Sequence, residues 1–129
     1  MVILMGYSDY QFTRSKEEFS QLFNTVNFKQ GGNFGSVRDF FFQNSYEKLT
    51  TEFVVIGPFT SKNNRAYYRD RSRELCMEAV EHAIQDGIQF EQFDNTGDQN
   101  VDAVTIIFAG QGRESGGGND AIWSHASRL

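Results

Sequence analysis

The sequence holds one proline, Pro58, one cysteine, Cys76, and one tryptophan, Trp123. A lone thiol excludes an intrachain disulfide and leaves the redox compartment unread. No apolar run approaches the roughly 18–20 residues of a membrane-spanning helix. Met1–Met5 is too short for a signal-peptide core and has no basic residues before it. Any export signal of the intact protein is therefore expected upstream of this stretch. Basic clusters are also missing. The net charge is −5, so a nucleic-acid partner is excluded on charge. The nearest concentration of positive residues, Arg65, Arg69, Arg71 and Arg73, is interleaved with Asp70 and Glu74. It reads as a solvated, mixed-charge helix start.

What is present favours a folded chain. Aromatics make up 15 % of the 129 residues, thirteen of them Phe, against 22 % charged residues. Val2–Met5 reads as a buried strand. Ser15 with Glu18, and Ser36 with Asp39, each fit a capping box that opens a helix. The first helix presents Phe19, Leu22 and Phe23 and ends near Asn24. The second presents Val37, Phe40 and Phe41 and ends near Asn44. Phe53–Ile56 is β-branched and bounded by Gly57-Pro58, which predicts a strand. A longer helix is expected from about Asp70 to Asp86. Its apolar face holds Leu75, Cys76, Ala79, Val80, Ala83 and Ile84, and Gly87 terminates it. Val104–Phe108 is apolar on both faces and reads as a strand buried in a sheet. Gly110–Asn119 reads as a flexible or backbone-exposing glycine loop.

Motifs that carry chemistry are sparse. Asp94, Asp98 and Asp102 stand at positions 1, 5 and 9 of a calcium-type loop. Thr96, Gln99 and Thr105 occupy the places where Asp or Asn, Gly and a bidentate Glu are wanted, so the loop is not an EF-hand. A degenerate calcium site and a capped polar turn with Gly97 at positive φ both remain open. Gly110-Gln111-Gly112 follows a strand but lacks the helix and acidic residue of a dinucleotide fingerprint. No G-x-S-x-G occurs. Cys76 reads as a small core residue. His82 and His125 are isolated from each other, His82 as a surface residue, and H-E-x-x-H is absent; a zinc site needs about three converging ligands.

An ordered set of short motifs nevertheless covers nearly the whole chain. Gly35–Phe41 is similar to "GSVRDYF" and Asn44–Leu49 to "NSYGKL". Val55–Pro58 is similar to "V-x-GP" and Tyr67-Tyr68 to "YYG". Phe93–Asp102 is similar to "YDNDGDGYVD", Ile107–Gly112 to "IYAGYG" and Ile122–His125 to "IWPH". Together they resemble the immune inhibitor A-like family of secreted zinc metallopeptidases (peptidase family M-six). Thr96, Gln99 and Ser124 depart from that pattern, the last standing in place of its proline.

The resemblance implies an α+β fold: a zincin-like N-terminal subdomain, a mixed β-sheet with about three backing helices. Residues 1–129 would then form a single partial domain, the N-terminal portion of a catalytic domain. The family places H-E-x-x-H downstream of its "IWPH" segment, so the zinc ligands are expected outside this chain. In the full enzyme zinc would polarise the scissile carbonyl and activate water, with a Glu as general base. Val104–Phe108 and the loop after it are the expected cleft wall. Gly110, Gln111, Gly112, Trp123 and His125 are the substrate-cleft candidates, with Trp123 a core or lid aromatic on the alternative reading. Protein or peptide substrates, the downstream half of the same catalytic domain, zinc and, at the acidic loop, calcium are the implied partners. The implied location is extracellular or cell-surface. The alternative is a non-catalytic binding module that kept the sheet and lost the zinc helix.

Overall fold

The computed structural model describes residues 1–127. In chain order its elements are β1 (Val2–Gly6), α1 (Lys16–Asn24), α2 (Val37–Asn44), β2 (Val55–Thr60), α3 (Arg65–Tyr68), α4 (Ser72–Gln85) and β3 (Thr105–Phe108), with short 3-10 turns between. The fold is mixed α/β. The chain divides into two compact units, one of residues 1–13 and 56–129, the other Arg14–Val55.

The first unit is organised on β1. The strand order is β2-β1-β3, and β1 runs parallel to β3 with Val2 opposite Thr105 and Met5 opposite Phe108. Every side chain of Val2–Met5 is fully buried, as a central strand requires. Ile3, Met5 and Tyr7 share one face, and α4 packs on β1. Leu75, Ala79 and Ala83 recur along α4 at four-residue spacing and are buried in the same cluster. The two alanines let the helix axis approach the sheet. α4 closes as expected. Gly87 at φ 81° follows the last turn, while Ile88 N–H donates to Ala83 O and Gly87 N–H to Ile84 O.

Several expectations change here. Ile84 is 59 % exposed and Glu78 is buried in its stead. The stripe has rotated because the Glu78 carboxylate has internal partners and Ile84 has solvent. The long helix starts at Ser72, after a separate turn of helix, α3, capped by the Asn64 side chain. β2 begins at Val55 and continues through Gly57-Pro58, a cis peptide. An edge strand tolerates the missing N–H of proline. β3 is the other edge, with Thr105 exposed and Ile106–Phe108 half-buried, where a strand buried in the sheet was expected.

In the second unit both capping boxes form. Ser15 Oγ accepts from Glu18 N–H at 3.2 Å and Glu18 accepts from Ser15 N–H at 2.8 Å. Ser36 and Asp39 repeat the exchange at 3.1 and 2.8 Å. Both helices end where the sequence predicts. Phe53 lies outside β2 because Asn24 holds its backbone, donating to its carbonyl at 2.9 Å and accepting its N–H at 2.8 Å. The Phe53 ring packs edge-on against Phe23. α2 turns a different face inward than its apolar residues suggest: Phe40 is 60 % exposed while Ser36 and Asp39 are buried. The Ser36 N–H and hydroxyl hold the Asp39 carboxyl below its usual range, with help from the Asn27 and Phe28 N–H groups. Among the described residues no helix is long and apolar enough to cross a membrane.

Candidate functional site

The glycine loop after β3 is structured. A turn at Arg113–Ser115 is followed by Gly116 at φ 90°, and Gly117 N–H returns to Gly112 O at 3.0 Å. Arg113 N–H donates to Ile122 O at 2.9 Å, tying the loop to the segment that carries Trp123. The Arg65 guanidinium lies 5.3 Å from the centre of the Tyr10 ring and donates from Nη2 to Gln111 O at 2.7 Å. Asp9 in turn accepts the Arg65 backbone N–H at 2.9 Å. Arg65 therefore clamps the loop, a role beyond the solvated charge expected of it. No local pattern announces it, since the two partners lie 46 residues apart.

Of the cleft candidates, Gly110 and Gln111 are exposed and Gly112 is buried. Trp123 is 61 % exposed, so the structure places it at the surface and not in a core. His125 Nδ1 lies 2.8 Å from Trp123 O, and its Nε2 lies 3.2 Å from Ser72 Oγ at the start of α4. A carbonyl only accepts, so Nδ1 carries the proton, and in the neutral ring Nε2 accepts from the Ser72 hydroxyl. Glu114 receives the Ser124 N–H at 3.1 Å and its Oγ–H at 2.7 Å. These donors hold the Glu114 carboxyl below its usual range. Sequence reasoning passed over Glu114, whose partner lies ten residues away and outside any periodic pattern.

His82 stacks on Phe59, with ring centres 5.2 Å apart, and its Nε2 lies 3.9 Å from the Glu78 carboxylate, so it is a packed side chain more than the surface residue expected. Among the described residues no set of three or more His, Cys, Asp and Glu side chains is placed to hold a metal ion. Cys76 is half-buried, and burial pushes its thiol up, away from nucleophilic character.

At the acidic loop, the three carboxylates expected for calcium accept hydrogen bonds from the loop's own residues. Asp94 accepts the backbone N–H groups of Gly97 at 2.6 Å, Gln99 at 2.8 Å and Asp98 at 3.3 Å. Asp98 accepts from Asn100 N–H, and Asp102 accepts from the backbone and side chain of Asn95. Gly97 takes φ 75° and Gln99 φ 66°. This geometry supports the capped turn. Burial alone would raise the Asp94 carboxyl, but the Gln99, Gly97 and Asp98 N–H groups outweigh it and hold it below its usual value. Ionised Asp94 therefore stabilises the turn above its ordinary pKa, and that contribution is lost as pH falls through the lowered one. Asp94→Ala is expected to lower the melting temperature at pH 7 equally in calcium and in chelator. A loss seen only with calcium would instead identify a metal site.

The family profile described as "Immune inhibitor A peptidase M6, catalytic domain" matches residues 4–129. Immune inhibitor A of Bacillus thuringiensis subsp. alesti is 26 % identical over an alignment of 169 residues, which covers 97 % of this chain and 25 % of that protein. Pre-pro-metalloprotease PrtV of Vibrio cholerae serotype O1 (strain M66-2) is 30 % identical over 125 residues, covering 77 % of this chain and 14 % of that protein. The chain thus spans a quarter or less of the length of the curated relatives it matches.

Proposed function

The chain belongs to the immune inhibitor A peptidase M6 family, matched in its catalytic domain, and from that membership we propose that it is the N-terminal part of a secreted zinc-dependent endopeptidase. The observation that carries the reading is the family match over residues 4–129. In this reading the zincin-like sheet forms one wall of the cleft, and the metal ligands lie outside these residues. The H-E-x-x-H motif is missing from the sequence, which agrees with that placement. The chain's own contribution is binding and orientation. β3 is an edge strand, so its outer main-chain groups can pair with an extended peptide backbone. Beyond it, Arg65 holds the glycine loop in one conformation, which lowers the ordering cost of binding.

The purified chain is expected to hydrolyse no casein in the presence of zinc. Hydrolysis abolished by a chelator would overturn the placement of the metal ligands. The gene beyond the codon for Leu129 gives a second test: an H-E-x-x-H codon set supports the peptidase reading, and a stop codon overturns it in favour of a binding module.

A further inference from the structure

Ser124 stands where the family pattern has proline, and the structure gives this serine a partner that a proline could not engage. Its N–H and its hydroxyl both donate to the Glu114 carboxylate, at 3.1 and 2.7 Å. Proline has neither group. The approach depends on Gly112 as well. A Cβ there would lie 2.1 Å from Glu114 Oε1, so glycine leaves the space the carboxylate occupies. Next along the chain, His125 bonds back to the Trp123 carbonyl and across to Ser72. Trp123 therefore projects from a backbone held on both sides, with 61 % of its surface open. A large, open aromatic on a fixed backbone meets a ligand at little cost in conformational freedom.

We propose that Glu114 is a positioning residue: its carboxylate grips Ser124 and sets Trp123 as a preformed contact on the substrate-binding wall. The proposal rests on the reading of the glycine loop and Trp123 as part of that wall. It predicts that Glu114 acts through Ser124 and through nothing else.

Trp123 is the only tryptophan, so intrinsic fluorescence reports on this position alone. In the purified chain, Glu114→Ala is expected to speed amide exchange at Ser124 by roughly tenfold, the scale of a lost charge-assisted hydrogen bond, and Glu114→Gln, whose amide oxygen still accepts one bond, by less. Trp123 fluorescence anisotropy should fall with it. Gly112→Ala should reproduce both changes by evicting the carboxylate. Ser124→Thr keeps both donors and should restore parent behaviour. In a Ser124→Pro background, Glu114→Ala should leave anisotropy unchanged. Unaltered Ser124 exchange in Glu114→Ala would overturn the proposal, as would an equal loss of anisotropy in the proline background. A blocked Ala/Leu hexapeptide, titrated against Trp123 fluorescence, tests the underlying reading separately. Binding by the parent that weakens several-fold in Glu114→Ala supports both. No response from the parent would sink the assignment of Trp123 to a substrate wall, and the exchange data would still decide whether the grip exists.

Discussion

Replacing Glu78 by alanine is expected to destabilise the chain by about 3 kcal/mol. Glu78 is 8 % exposed, and its carboxylate serves three parts of the first unit. Oε1 accepts the Lys62 N–H at 2.6 Å, just beyond β2, and Oε2 accepts the Tyr68 hydroxyl of α3 at 2.5 Å. His82, one turn further along α4, lies 3.9 Å from Oε1. Alanine would leave a partly buried N–H and a buried hydroxyl without their acceptor, and an unmet buried donor costs more than a made bond contributes. Burial, then the bond to Glu78, raises the Tyr68 hydroxyl above its usual pKa, so it stays a donor at all ordinary pH. Glu78→Gln keeps an acceptor of the same shape and should cost only about 1 kcal/mol. Urea unfolding midpoints at constant m-value would measure both. A loss below about 1 kcal/mol for the alanine variant would mean that water replaces the carboxylate freely.

Gly57→Ala should cost at least about 3 kcal/mol, because two independent penalties coincide. Gly57 adopts φ 87°, where an L side chain is strained. A Cβ would also sit 2.6 Å from Leu4 O and 2.9 Å from Phe59 N. Both are backbone atoms, so no rotamer change relieves the contact, and β1 must move. The neighbouring exposed Thr60→Ala is the control and should change stability by less than about 1 kcal/mol. Melting temperatures would separate the two. A Gly57→Ala variant that melts with the parent would show that the β1–β2 pairing yields without penalty.

Local signals in this sequence were readable because their partners are local. The two capping boxes need only Ser15 with Glu18 and Ser36 with Asp39, three residues apart, and both form. Gly87 ends α4 for the same reason. Gly57-Pro58 misled, since turn residues also occur inside an edge strand that needs one bent, close-packed position. The inward turn of Glu78 and the outward turn of Ile84 depend on Tyr68 and Lys62, which helical periodicity does not contain. Likewise the motif order gave the family, while the arrangement at the glycine loop came from Arg65 reaching Gln111 and Glu114 reaching Ser124. Those contacts are tertiary and leave no periodic trace.

The pairing of β1 with β3 bears on how the molecule is made. Val2 lies opposite Thr105, and Met1 O and Met5 O accept from Thr105 and Ala109. The most deeply buried strand is synthesised about a hundred residues before its neighbour β3. At about 5–20 residues per second that interval lasts several seconds. Throughout it, Val2-Ile3-Leu4-Met5 has an unpaired side and apolar surface in water. Closing so long a span also delays the sheet after release, since distant contacts must be reached before they stabilise anything. The folding yield therefore depends on how β1 is kept from mispairing until β3 has been made.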